Sequence, residues 1–371
     1  MTSSSPSPSP SPPPSDKPTR QLRYLPLLAL SYMAKPLGFT RISNFILFFI
    51  FGGALLGFAL ARLPYLSFSS GLCPEGGGTL DCYYYTPGSR DKIGIMMHLS
   101  AILPASLLAI LQFIPKIRHK LIHFHRMNGY VILCLAVIST IGAGLLGPNL
   151  MGGEISAQAA GGTLGLMFLV SLFLAWYNIK RLQIEQHRAW MLRAWFYAGS
   201  IISMRLIMMI MDDIESKPSF SPTTSMPCAK IAYFFGGNPN ATLSSYPDCG
   251  PYFSGEDLEK SSSVRGDLNG DPVNVIALFT SIFGTNLWLS LFIHAIGVEI
   301  YLHLTPAEAN RLRNVSYQRQ LEAGMKTPGR MGLTADKLGY SAPWVPSSEA
   351  GTSTNSVHVI PKSDPESSTS V

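Results

Sequence analysis

The stretch Val273–Val298, VNVIALFTSIFGTNLWLSLFIHAIGV, decides the fold of this chain because it contains no Asp, Glu, Lys or Arg. The hydrocarbon core of a bilayer is about 30 Å thick, and an α-helix crosses it with about 20 residues at about 1.5 Å per residue. Five other stretches are of similar length and nearly free of Asp, Glu and Lys: Ile42–Ala61, Ile93–Ile114, Asn128–Gly153, Ile155–Ile179 and Ala189–Met211. The sequence therefore predicts an all-α, polytopic membrane bundle with six transmembrane helices.

The composition agrees with a membrane protein. Of the 371 residues, 47% are hydrophobic and only 13% are charged, whereas soluble globular proteins carry about 25% charged residues. The net charge of +6 does not indicate nucleic-acid binding, because the basic residues gather in short loops on one side of the predicted bundle. We expect the lipid bilayer to be the main partner, and the sequence identifies no small-molecule or protein partner.

The distribution of Lys and Arg predicts the orientation in the membrane. The loop Pro115–Met127 contains four Lys or Arg and no acid, and residues 180–188 contain three Lys or Arg and one Glu. Cytoplasmic loops are enriched in Lys and Arg, so we expect both termini in the cytosol. The six spans then form one domain, residues 41–304, whose two long loops, residues 63–92 and 212–272, lie outside.

Four of the five cysteines lie in the two predicted outer loops, which fits an oxidising compartment. These four are Cys73, Cys82, Cys228 and Cys249. The sequence does not distinguish among their three possible pairings. Asn240-Ala241-Thr242, in the second of these loops, is an N-glycosylation acceptor motif. We therefore expect a disulfide-bonded glycoprotein of the secretory pathway or plasma membrane.

Both ends of the chain are predicted to lie outside the bundle. Residues 1–40 begin with a Ser/Pro-rich run that favours disorder, and their apolar segment Tyr24–Ala34 is too short to span, so we expect it at the membrane interface. In residues 305–371, the sequence Thr305-Pro306-Ala307-Glu308 has capping-box spacing and predicts a juxtamembrane helix to about Leu321. The polar composition from Thr327 onward predicts disorder.

Few ionisable side chains lie within the predicted spans, and each is a functional candidate because charge is costly in lipid. They are His98, Arg193, Arg205, His294 and Glu299. On ideal helices, His98 and Arg205 lie about 8 Å outward of the midpoints of their spans. We therefore expect His98 and Arg205 to line a polar cavity near the outer face. Internal pairing that fixes helix packing is the alternative role for each arginine.

Three histidines form a candidate cofactor site near the predicted inner side. His125, His187 and His294 belong to three different helices, and two imidazoles on facing helices can ligate b-type haem. Arg193 would then lie near the haem propionates. A structural role, in hydrogen bonds to backbone or lipid headgroups, is the alternative for each histidine. Apart from Glu299 near the boundary, the histidines lack the neighbouring partners that support a zinc site, which argues against zinc. We therefore predict no metal-ion site.

The predicted spans and the loops beside them contain a series of distinctive residues and strings: His98, Leu111–Phe113 (LQF), His125–Tyr130 (HRMNGY), His187–Arg193 (HRAWMLR) and Arg205. Together they resemble the DUF2306 family of uncharacterised predicted membrane proteins, which occurs in bacteria and fungi. The resemblance covers roughly His98–Arg205, and the Ser/Pro tails and long outer loop resemble fungal members. It implies a multi-pass membrane protein without an assigned activity. The histidines are also similar in style to those of cytochrome b561-type transmembrane electron carriers, although these use two histidine pairs, one at each side, and the outer layer here offers only His98.

Two functions remain open on this basis, and the sequence does not decide whether the protein is an enzyme. The first is a transporter or accessory scaffold with a polar intramembrane cavity at His98 and Arg205. The alternative is a membrane redox protein that binds b-type haem through the inner-side histidines.

Overall fold

The computed structural model describes residues 30–74, 81–215, 217, 221–339, 341–342 and 344–346. Among these residues, six helices are long and apolar enough to cross a membrane. They are α1 (Ile42–Arg62), α2 (Arg90–Gln112), α4 (Ile122–Leu146), α5 (Ile155–Lys180), α6 (Ile184–Glu215) and α10 (Pro272–His303), with the short α3 (Pro115–Lys120) between α2 and α4. The six predicted spans and the all-α class are confirmed. The Ser/Pro run at the start and the last part of the predicted disordered tail lie outside the described residues.

The described chain divides into two compact units. The first comprises residues within Met1–Glu75 and Met96–Ser139. Residues 30–37, part of the predicted interfacial segment and the residues that follow it, are helical. In this unit the Asn128 side chain donates a 3.1 Å hydrogen bond to the Leu108 carbonyl, which joins α4 to α2. The short connection through α3 makes α2 and α4 an antiparallel hairpin.

The second unit comprises residues within Gly76–Ile95 and Thr140–Val371, and its centre is the mutual packing of α5, α6 and α10. Side chains that include Met204, Leu278 and Leu287 form its apolar core. A Cβ atom at Gly284 would collide with Ser156 and the following backbone, so glycine is needed where α10 approaches α5. The α10 helix is the most buried of the six spans.

The segment between α6 and α10, predicted only as a long loop, folds as a disulfide subdomain, which we define as residues 221–271. Its elements are β1 (Thr223–Pro227), α7 (Cys228–Phe234), α8 (Pro239–Ser245), α9 (Gly250–Ser254) and β2 (Ser261–Arg265). The strands are antiparallel, with Thr224 opposite Val264, and Cys228 is bonded to Cys249. Cys73 and Cys82 are also disulfide-bonded, so the four predicted disulfide cysteines are confirmed.

The start of α10 is strongly specified. Asp271 accepts hydrogen bonds from the backbone N–H groups of Val273 and Asn274, and the Asn274 side chain accepts one from the backbone N–H of Asp271. This capping box satisfies N–H groups that a helix start otherwise leaves unpaired. The first turns of α10 also carry Val273 and Ile276 into the apolar core of the disulfide subdomain.

The carboxyl-terminal segment, residues 306–339, packs on the turn between α5 and α6. Its helix α11 (Pro306–Glu322) begins at the predicted residue, but the Thr305 hydroxyl donates to the Tyr301 carbonyl and forms no cap. Disorder was predicted from Thr327, whereas Gly332 N–H donates to Gln183 at 2.9 Å and Leu333 N–H donates to Asn178 at 2.8 Å. Buried side-chain partners on the turn order this polar stretch.

Candidate functional site

The two predicted cavity residues belong to different units. The imidazole of His98 lies 3.0 Å from the Ser139 carbonyl and 2.9 Å from the Ser139 hydroxyl, which links α2 to α4. Arg205 is exposed on α6, with its guanidinium 5.6 Å from the centre of the Phe283 ring. A cavity between His98 and Arg205 stays a prediction.

Arg193 forms an ion pair inside the second unit. Its Nε donates to Glu299 Oε1 at 2.6 Å and its Nη2 donates to Oε2 at 2.9 Å, which joins α6 to α10. The guanidinium also lies 4.5 Å from the centre of the Trp190 ring. This bidentate geometry is the strong form of a charge-assisted hydrogen bond. The ion pair corresponds to internal pairing that fixes helix packing, the alternative role given above for the arginines. Binding of an anion such as a haem propionate by Arg193 stays a prediction.

Two of the three candidate haem ligands, His187 on α6 and His294 on α10, lie far apart. The His187 imidazole is 3.0 Å from the Ala175 carbonyl. His294 contacts α6 at two positions: its Nε2 lies 2.7 Å from Ser203 Oγ, and its ring lies beside Gly199. Both positions are at least twelve residues after His187 in the sequence of α6. Twelve helical residues correspond to about 18 Å. Axial ligands of one haem bind the same iron, so a haem held by His187 and His294 together does not fit. Pairs that include His125 stay predictions.

Polar side chains follow the buried face of α10. We call Thr280, Asn286, Ser290 and His294 the α10 polar face; on an ideal helix they lie within an arc of about 120°. The Ser290 hydroxyl donates to the Ser200 carbonyl at 2.7 Å. Asn286 is 1% exposed. Its Nδ2 and the Oγ1 of Thr280 are buried and have no hydrogen-bond partner among the described residues. These two atoms are the unsatisfied donors of the face.

A charged cluster lies near the start of α10 and was not predicted. We define it as Asp81, Tyr84, Asp91, Asn149 and Lys230. Lys230 is 2% exposed and Asp91 is 6% exposed. The Lys230 ammonium lies 4.9 Å from the centre of the Tyr84 ring, and Asn149 donates to Asp91 Oδ2 at 3.1 Å. Charged side chains are rarely buried so fully unless they are paired or functional.

Burial controls the ionisation of the charged cluster. It raises the pKa of Asp81 to about 6; Asp91 adds to this rise, whereas Lys230, Arg205 and the backbone N–H of Gly152 oppose it. Burial lowers the pKa of Lys230, and Asp81 opposes that change. Burial, followed by the charge of Asp81, raises the pKa of Tyr84 to about 12. Asp81 therefore titrates in a range where an unperturbed aspartate would be ionised.

The sequence held one signal for this cluster. Lys230 is the only charged residue in the apolar string Cys228–Phe235, CAKIAYFF, and that string was predicted as part of a loop. Its aspartate neighbours are distant in sequence and fall at the end of the other predicted outer loop.

Asn240 is exposed on α8, and its glycosylation stays a prediction.

The fold and these sites define an integral, multi-pass membrane protein with a disulfide-bonded subdomain. A family model described as "Predicted membrane protein (DUF2306)" matches residues 95–226, which confirms the resemblance carried by the histidine-containing strings. Neither a curated protein nor a solved structure matches the chain. The charged cluster residues Asp81, Asp91 and Lys230, and all of α10, lie outside the matched residues.

Proposed function

We propose that the protein is a membrane transporter for a small polar solute and that its intramembrane site is the α10 polar face. The observation that carries this proposal is the buried Asn286 amide nitrogen, which has no hydrogen-bond partner among the described residues. A buried polar group without a partner is costly, most of all in a bilayer. Such a group is explained if water or a solute supplies the missing partner.

Hydrogen bonds between packed helices explain only some of the polar side chains of the α10 polar face. Serine and histidine side chains commonly form hydrogen bonds between membrane helices, as Ser290 does with the Ser200 carbonyl and His294 with Ser203. Within the part of the chain that the structure describes, the donors of Thr280 and Asn286 form no such bond. Thr280 and His294 are separated by about 21 Å along α10, which is most of the hydrocarbon core of about 30 Å. The face therefore offers a solute polar contacts over much of the membrane thickness.

Accessibility to a water-soluble reagent tests this proposal without knowledge of the solute. Cys134 is the free cysteine of the chain, so Cys134→Ser provides a background in which the other cysteines are disulfide-bonded. In proteoliposomes, a membrane-impermeant, charged methanethiosulfonate should label Asn286→Cys. The matched control is Leu287→Cys, since Leu287 is the next residue, is 1% exposed and packs in the apolar core. It should stay unlabelled.

The same experiment separates a transporter from an accessory scaffold. Transport requires the site to open to water on at least one side, whereas a scaffold keeps it closed. If correctly folded Asn286→Cys protein resists the reagent from both sides of the membrane, the face is static packing and the scaffold is favoured.

A further inference from the structure

We propose that Asp81 binds one exchangeable proton inside the charged cluster, where it lies beside Asp91. The two carboxyl groups line the same cavity, of about 20 Å³, with Tyr84 and Asn149. A cavity of this size holds about one water molecule. The cluster adjoins Thr280 at the start of the α10 polar face, since Thr280 and Lys230 both lie within 4 Å of the Cβ position of Gly152, but the proposal does not depend on transport.

The hydrogen bonds of the two carboxyl groups are incomplete. Asp91 Oδ2 accepts from Asn149, and Asp81 accepts from the backbone N–H of Gly152. The Oδ1 atoms of both aspartates are buried and have no hydrogen-bond partner among the described residues. An ionised carboxylate can only accept hydrogen bonds, whereas a protonated one also donates. A proton on Asp81 would therefore add a donor beside the two unpartnered Oδ1 atoms.

The charges around the cavity also favour one proton. Lys230 is a buried cation that acts on Asp81, so two carboxyl groups with buried Oδ1 atoms oppose one buried ammonium among the described residues. Arg90 approaches Asp91 to 3.8 Å, but its side chain is 49% exposed and screened by solvent. Arg205, which also acts on Asp81, is exposed. The nearby Asp91 carboxylate disfavours the ionised form of Asp81, and a proton on Asp81 removes the residual negative charge.

The remaining titratable groups beside the cavity do not supply this charge. Tyr84 and Tyr85 face the two aspartates, and burial together with the aspartate charges raises the pKa of both phenols. Both phenols are therefore neutral near neutral pH. The exchangeable proton therefore belongs to Asp81, and the charge of Lys230 opposes its binding.

An infrared pH titration of the full-length protein in nanodiscs tests the proposal. We expect a protonated-carboxyl band that disappears as the pH rises, with a midpoint near pH 6 as the pKa of Asp81 indicates. Asp81→Asn should remove this band. Asp91→Asn should move its midpoint to lower pH because the repelling carboxylate is gone, and Lys230→Met should move it to higher pH. Asp248→Asn is the matched control, since Asp248 is an exposed aspartate of the disulfide subdomain, and it should leave the band unchanged.

Two results would overturn the proposal. The first is a wild-type protein without a carboxyl band that titrates between about pH 5 and pH 7, a measurement that needs no variant to fold. The second is a midpoint that differs by more than about one pH unit between sodium chloride and choline chloride, which would identify a metal-cation site in place of a proton site.

Discussion

Replacement of Gln320 by alanine should release the carboxyl-terminal segment from the turn between α5 and α6. Gln320 is fully buried. Its Nε2 donates to the Arg181 carbonyl at 2.9 Å and to Gln183 Oε1 at 3.0 Å, and its Oε1 accepts from Gly329 N–H at 2.6 Å. At about 1 kcal/mol for each hydrogen bond, the loss is about 3 kcal/mol. The docked population should therefore fall about 100-fold relative to the released one.

Hydrogen–deuterium exchange with mass spectrometry measures this release in the full-length protein. The amides of Gly329, Gly332 and Leu333 donate to buried side chains of the network, so their exchange should become about 100-fold faster in Gln320→Ala. The control is Glu322→Ala on the same helix, where the pair with Arg319 is largely exposed and contributes little. Unchanged protection in Gln320→Ala would show that these hydrogen bonds do not hold the segment.

Three further outcomes follow from the packing. Cys228→Ser should lower the free energy of unfolding of the disulfide subdomain by about 3 kcal/mol, because its disulfide closes a loop of 21 residues; thermal unfolding that matches the wild type would contradict this. Gly284→Ala should reduce the yield of folded protein in size-exclusion chromatography, whereas Gly297→Ala, with open space at its Cβ position, should not; equal yields would refute the close contact of α10 with α5. In a reduced-minus-oxidised visible spectrum, we expect no haem band that depends on both His187 and His294. A haem band that is abolished by His187→Ala and also by His294→Ala would contradict the distance between these residues.

The membrane fold could be predicted closely because the bilayer imposes it. Backbone groups in lipid must be satisfied internally, so a long uncharged stretch such as Val273–Val298 has to be helical. Its observed helix, α10, starts one residue earlier and continues to His303. The same reasoning does not describe aqueous segments, where the disulfide subdomain and the contacts after Thr327 depend on side-chain partners far away in the sequence.

The candidate sites were less predictable for a related reason. Depth estimates from ideal helices assigned His294 to an inner layer with His187, but they contained no information on which residues of α6 contact α10. Ser203 and Gly199 decide that position. The partners Asp81 and Lys230 come from two different loops, and no helical or strand period relates them. Only the folded chain shows that the two are neighbours.

The length of α10 determines how the protein can be divided. With 32 residues it extends about 48 Å, well beyond a hydrocarbon core of about 30 Å, and its first turns supply Val273, Ile276 and Ala277 to the apolar core of the disulfide subdomain. Excision of residues 221–271 would leave these three side chains facing water. A water-soluble fragment for crystallisation or immunisation must therefore end within α10 rather than before it.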